Sequence, residues 1–534
     1  MRKLFFLFLP VCLFAVTLAA QEAPKFSAEV QKFVSVRAPV VALVLVRVID
    51  GTGAAPLDDQ TVILSDGKIA SLGSAGKIEI PAGAKVLDRT GYTVIPGLVG
   101  MHDHLFYPSG RTNPAIYNEM GFSAPRLYLA CGVTSLRTTG SIEPYTDLEL
   151  KKLIERGEIP GPKIHVTGPY LEGAGAFTPQ MHVLASAGDA RRTVDYWADE
   201  GVNSFKAYMN ITRAELSAAI EEAHKRGLKV TGHLCSVGFR EAAALGIDDL
   251  EHGLLEDSEF VAGKKPDVCP PSKDVEEAIL KLDLTSAPAQ EMIRDLVARR
   301  VAVTSTLPVF ETFIPKRPPL QQRVLEALLP EAAISYLATR ARVAARTTPH
   351  WAALFQKEME FERAFVKAGG LLLAGNDPTG YGGDLAGFGD QREVELLVEA
   401  GFTPVEAIHI ASANGAEFLN EAKDIGTIAP GKSADLILIH GDPSKDIADI
   451  EKVETVFKDG RIRFGQANRI GARLDGLALS RSRGGLKKSV ALVARVAFVS
   501  PVADPRAGRG RRTKYESRRS RASYHLASCY VTWK

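Results

Sequence analysis

Between residues 93 and 425 short apolar segments alternate with helical ones, and this alternation constrains the chain more than any other feature. Seven segments predict strands: Thr93–Val99, Val133–Thr138, Lys163–Thr167, Ser204–Ala207, Lys229–Thr231, Val301–Thr304 and Leu371–Ala374. An eighth, Ile247–Leu250, lies between Gly246 and the turn Glu251-His252-Gly253. Helical patterns fill the intervals, as over Thr212–Lys225, Val275–Leu282 and Pro404–Leu419. Eight strand-helix units predict an α/β fold with a parallel sheet, closed as a (β/α)8 TIM barrel. An open doubly wound sheet would want a glycine-rich phosphate loop after an early strand, and the sequence has none.

On either side of this stretch the pattern changes to short strands with tight turns. Residues 41–92 carry VALVLVRVIDGTG and TVILSDGKIASLG, with a hairpin signal at Asp66-Gly67. Residues 426–465 carry GTIAPGKSADLILIHG and KVETVFKDGRIRF, with a second turn at Asp459-Gly460. The expected division is a signal peptide over 1–20, a β-sandwich portion over 21–92, the barrel over 93–425, a second sandwich portion over 426–465, and a basic tail over 466–534. The first segment, MRKLFFLFLPVCLFAVTLAA, has a basic start, an apolar run and small residues at its end, which predicts export to the periplasm or outside.

The formal net charge of +2 hides an uneven distribution. From Gln466 onward there are 16 Lys and Arg against three acids, which leaves 49 against 60 in the body. Such a block of like charge predicts disorder. The acidic body gives no reason to expect a nucleic-acid surface, and no apolar run after the first twenty residues approaches the roughly 18 residues of a span, so no integral membrane segment is expected in the mature chain. With 46% hydrophobic residues, 47 Gly and 30 Pro, the composition excludes collagen-like and wholly disordered chains. Five cysteines (Cys12, Cys131, Cys235, Cys269 and Cys529) stand far apart, so neither a disulfide scaffold nor a cysteine zinc site is expected.

Chemistry in such a barrel sits where the strands end. The first strand runs into His102-Asp103-His104, and alternation along an extended chain points both imidazoles one way and Asp103 the other. Lys206 closes NSFKAY, His233 follows GLKVTG, His252 sits in DDLEHG, and Asp377 follows LLLAGN. Each has a bland explanation as a strand-end or turn residue. Six such residues on five strand ends point instead to one metal site.

This order of H-x-H, Lys, His, His and Asp resembles the metal-dependent amidohydrolase superfamily, in its imidazolonepropionase-like and prolidase-like branch. The stretches VIPGLVGMHDHL, EEAHKRGLKVTGHL, IDDLEHG and GTIAPGKSADLILI carry the resemblance, which spans residues 40 to 465. It implies that His102, His104 and Asp377 hold one divalent ion and His233 and His252 a second, with zinc the expected metal. Lys206 would be N6-carboxylated and bridge the two. Asp377 would serve as the catalytic acid and base while a metal-activated hydroxide attacks a carbonyl. One departure is GNDPTG, where the family often shows a threonine before the aspartate; another is the long segment 257–351, expected to cover the barrel mouth.

His182, Tyr208 and Arg137 are candidate substrate contacts, with solvent exposure or a structural ion pair as their alternatives. The expected activity is hydrolysis of an amide C–N bond in a dipeptide, an N-acyl amino acid or a cyclic amide. An esterase, lactonase or phosphotriesterase on the same scaffold remains open. A metal-free binding protein would be expected to have lost ligands, and all six are present. The substrate is a small molecule; oligomeric state is not legible.

Overall fold

The computed structural model describes residues 26–108, 116–346, 350–378, 384–460 and 462–465. The expected signal peptide and basic tail lie outside the described residues.

Eight parallel strands form the central sheet. They are β1 (Leu98–Asp103), β2 (Val133–Thr138), β3 (Lys163–Leu171), β4 (Ser204–Ala207), β5 (Lys229–Gly232), β6 (Asp249–Glu251), β7 (Ala302–Ser305) and β8 (Leu372–Ala374). Neighbours pair in sequence order from β1 to β8. The ends meet where the backbone N–H groups of Asn376 and Asp377 donate to the His102 carbonyl at 3.1 and 2.8 Å. Gly375 permits this approach, because a Cβ there would lie 2.7 Å from the His102 nitrogen. The result is a nearly closed (β/α)8 barrel.

Local chemistry sets the helices between strands. Arg213–Lys225 starts at Thr212, whose side chain accepts from Glu215 N while the Glu215 carboxylate accepts from Thr212 N, a reciprocal cap. Phe239–Leu245 ends at Gly246, whose φ of 96° is left-handed. The predicted helix Pro404–Leu419 forms as Pro404–His409, a π turn over Ile410–Asn414, and Gly415–Phe418. The segment after β7 supplies Leu307–Glu311, Gln322–Ala327, Pro330–Ala344 and His350–Lys367. Phe310 of the first lies 5.9 Å, ring to ring, from His252.

The two strand-rich ends of the body join in one further eight-stranded sheet, in which Tyr92–Pro96 sits between Val40–Val48 and Leu436–His440. Its apolar side chains, among them Val41, Leu43, Val62, Val94, Leu436 and Phe457, gather in a small core separate from that of the barrel.

The structure corrects two expectations. The apolar run Thr93–Val99 is not one strand: Tyr92–Pro96 pairs with Leu436–His440, and the barrel strand begins only at Leu98. The break falls at Gly97, whose N–H donates to Asp435 O in one sheet while Leu98 N donates to Gly132 O in the other. A continuous apolar run gives no sign of which sheet buries which half. Second, Cys235 and Cys269 are bonded as a disulfide, with Cα atoms 4.8 Å apart across 34 residues of sequence. That separation carries no recognisable spacing signal, so only the folded chain brings the pair together.

Candidate active site

Strand β1 is buried throughout and delivers His102 within the strand and His104 just beyond it. Their rings stand 5.4 Å apart, and Asp103, buried, lies away from them close to Gly100. His102 Nδ1 donates to Glu251 Oε2 at 2.7 Å, with both side chains 0% exposed. A carboxylate only accepts, so this contact fixes the proton on Nδ1 and leaves Nε2 with a lone pair. That nitrogen lies 3.1 Å from Lys206 Nζ and 3.9 Å from Asp377 Oδ2.

Two further candidates converge on the same carboxylate. His104 Nε2 is 3.4 Å from Asp377 Oδ1, and His252 Nε2 is 3.9 Å from Asp377 Oδ2. His252 Nδ1 is 2.7 Å from Thr306 Oγ1, which again turns Nε2 inward. His233 follows β5, with its ring 4.5 Å from that of His252 and its Nε2 3.1 Å from Glu256 Oε2. Asp377 and His252 both have positive φ, 50° and 70°, a costly backbone state for residues with a Cβ and one concentrated at functional sites.

Burial governs the protonation states. It holds His102, His104 and His252 below the usual imidazole range, and the Lys206 charge adds to this at His102 and His104. Burial pushes Lys206 down to about 8, against the pull of the acids around it. At Asp377 burial works upward, but the hydrogen bond from His104 and the charges of His102 and His252 outweigh it and hold the carboxyl well below its ordinary value. Neutral imidazoles and an ionised carboxylate are the forms that bind metal.

His102, His104 and Asp377 each bring a ligand atom within 4.8 Å of the others. His252 Nε2 is buried without a hydrogen-bond partner. An orphaned imidazole nitrogen beside a carboxylate, with the ring of His102 held by Glu251, fits a divalent ion.

The structure separates the three candidate substrate contacts. Tyr208 lines the site, its ring 4.7 Å from that of His233. Arg137 is instead 1% exposed inside the barrel, where Nη2 reaches Asp249 and Glu251 at 2.9 Å each and Nε donates to Met101 O. His182 is 52% exposed and pairs with Asp189 at 3.3 Å, away from the cavity. Neither residue lines the site, because each is already committed to a carboxylate of the fold. Sequence reasoning also missed Glu251, Thr306 and Glu256, which contact the rings of His102, His252 and His233. Only Glu251 left a signal, as the residue just before His252 on a strand end.

A cavity of about 300 Å³ opens beside these residues, lined by His104, Lys206, His233, His252 and Asp377 on one side. Phe106, Tyr117, Ile142, Tyr170, Phe177 and Tyr208 line the remainder.

A barrel with imidazole, lysine and carboxylate side chains converging at its strand ends defines a metal-dependent hydrolase. The chain belongs to the Amidohydrolase family, whose model matches residues 93–299 and 365–463, and it is a hydrolase acting on C–N bonds. It is 26% identical over 419 residues to a dihydroorotase of Syntrophus aciditrophicus, covering 74% of this chain and 88% of that one. In fold it is similar to a Xaa-Pro dipeptidase solved with methionine in its active site (TM-score 0.60, 19% identity, 80% of this chain and 100% of that one). It is likewise similar to bottromycin amidohydrolase (TM-score 0.61, 20% identity, 84% and 94%).

Proposed function

We propose that this protein is a binuclear metallohydrolase, loaded with two divalent ions such as zinc, that cleaves the amide bond of a dipeptide, an N-acyl amino acid or a cyclic amide. The observation that carries this proposal is the convergence of His102, His104, Lys206, His252 and Asp377 within hydrogen-bonding or ion-pairing reach of one another. We assign His102, His104 and Asp377 to one ion and His233 and His252 to the other. When bound, such ions supply a Lewis acid for the carbonyl and an acidified water.

The chain's own residues do the rest. Lys206, brought down to about 8, keeps a neutral fraction near pH 7. The Nζ lone pair of that neutral form can attack carbon dioxide, forming an N–C bond and releasing one proton, which turns the neutral amine into an anionic carbamate with two ligand oxygens. Glu251 and Thr306 hold the His102 and His252 rings. Asp377, ionised and hydrogen-bonded to His104, takes a proton on a carboxylate oxygen and returns it to the leaving nitrogen. Tyr208 stands beside His233, where its hydroxyl can orient the substrate carbonyl.

We also propose export to an oxidising compartment, from the N-terminal pattern and from the Cys235–Cys269 disulfide.

The deciding experiment is a turnover screen of the zinc-loaded protein against dipeptides, N-acyl amino acids, cyclic amides, lactones and phosphotriesters. Amide cleavage, abolished by chelation and restored by zinc, is the expected result. Turnover confined to lactones or phosphotriesters would overturn the amide assignment.

A further inference from the structure

Six rings close a circuit around the cavity. From His104 it runs to Phe106 at 4.5 Å, Tyr117 at 5.3 Å, Phe177 at 5.9 Å, Tyr208 at 5.6 Å and Tyr170 at 5.0 Å, and returns to His104 at 6.5 Å. Phe106 and Tyr170, with Ile142 and Met181, form an apolar cluster distinct from the main barrel core, and Tyr117 and Tyr208 pack against it. This cluster therefore sits at the mouth of the barrel. Phe177 completes the circuit from a loop and is 38% exposed.

The rings border a cavity of about 300 Å³, and the same cavity holds Lys206 and Asp377. Edge-to-face and tilted contacts among the rings leave π faces and edges available to a flat guest. From this circuit we infer that the group flanking the scissile bond is aromatic and seats within the ring belt, an inference that names the substrate class for the amide hydrolysis proposed above. The preferred substrates are amides of phenylalanine- or tyrosine-like acyl groups.

The test compares amides that share one leaving group and differ in side chain: phenylalanyl, leucyl and alanyl. Burying a phenyl in place of a methyl should raise kcat/KM by about 30-fold or more. Ring–ring contact should favour phenylalanyl over leucyl by at least about threefold. Phe177→Ala should lower the phenylalanyl-to-alanyl ratio by about fivefold, and Phe177→Tyr should restore it. Phe177 is exposed, so an unchanged melting curve will confirm that both variants fold. Equal kcat/KM for the three amides, or a leucyl preference, would overturn the inference while leaving amide hydrolysis standing. Calorimetric titration with 3-phenylpropionate against butyrate reads the belt without turnover. Tighter binding of the phenyl compound by about tenfold, reduced in Phe177→Ala, supports the inference even if no amide is cleaved, whereas equal affinities overturn it.

Discussion

Glu251→Gln should weaken metal binding more than it weakens the fold. Glu251 makes two contacts with its two oxygens: Oε2 accepts from His102 Nδ1 at 2.7 Å, and Oε1 faces Arg137 Nη2 at 2.9 Å. A glutamine fills the same volume but presents one carbonyl and one amide. If the carbonyl stays on His102, the amide hydrogens confront a guanidinium that only donates. Removing one partner of a buried ion pair ordinarily costs about 3–5 kcal/mol. Here Arg137 keeps Asp249, which is raised to about 7 first by burial and next by the Glu251 charge. With that charge gone Asp249 ionises more readily, so the destabilisation should fall to about 1–3 kcal/mol. The His102 ring meanwhile loses its charged anchor, and loss of such an outer contact costs about 10–100-fold in metal affinity. Competition with a chromophoric zinc chelator measures the affinity, and urea unfolding of the metal-free protein measures the stability. Asp249→Asn, which does not touch His102, serves as the control and should destabilise without changing zinc affinity beyond about threefold. A Glu251→Gln protein that binds zinc within twofold of wild type would refute the anchoring role.

Lys206→Ala should reduce bound metal from two ions per chain to one or fewer, read by elemental analysis; unchanged stoichiometry would argue against a lysine bridge. Asp377→Asn should retain more metal than activity, with a rate loss of about 10² to 10⁴, because an amide cannot accept the proton; near-normal turnover would exclude Asp377 as the base. Burial raises Glu362 to about 8, so between its ordinary value of 4.5 and 8 the folded state binds more protons than the unfolded one and stability falls as pH rises. Glu362→Gln should therefore gain on wild type from pH 5 to pH 9 in urea unfolding, and parallel pH curves would contradict this. Replacing Cys235 and Cys269 together by serine should cost about 4 kcal/mol, from closure of a loop spanning 34 residues, with little change in zinc content; an unaltered unfolding midpoint would show that the bridge does not stabilise the fold.

Much of the site was legible because its residues are tied to strand ends, and strand ends are readable from apolar segments and glycines. Lys206, His233, His252 and Asp377 needed only that rule, and the spacing of His102 and His104 needed only alternation. What escaped the sequence depends on contacts between distant segments. Arg137 ends a strand just as Lys206 does, yet its neighbours across the barrel are Asp249 and Glu251, so it became an internal ion pair. His182 lies in a polar loop where nothing local distinguishes a substrate contact from the Asp189 contact that it makes. The junction at Gly97 was hidden because both sheets bury the same kind of residue, and the disulfide joins loops that no local pattern relates. The aromatic circuit draws on β3, three loops and a short two-stranded ribbon (Phe106–Pro108 with Tyr117–Glu119), so apart from His104 and Tyr208, already marked as site candidates, its members share no sequence signal.

The meeting of Asn376 and Asp377 with the His102 carbonyl also bears on the order of events during folding. The same residues that seal the first strand to the last supply two members of the His102, His104 and Asp377 cluster. A chain that has formed seven strands still has Asp377 adrift, and no smaller unit contains a complete set. Capture of a metal by those three residues would thus be deferred until the cylinder shuts. A partly made or partly folded polypeptide would lack the arrangement needed to activate water, and hydrolytic power would arise only with the finished barrel.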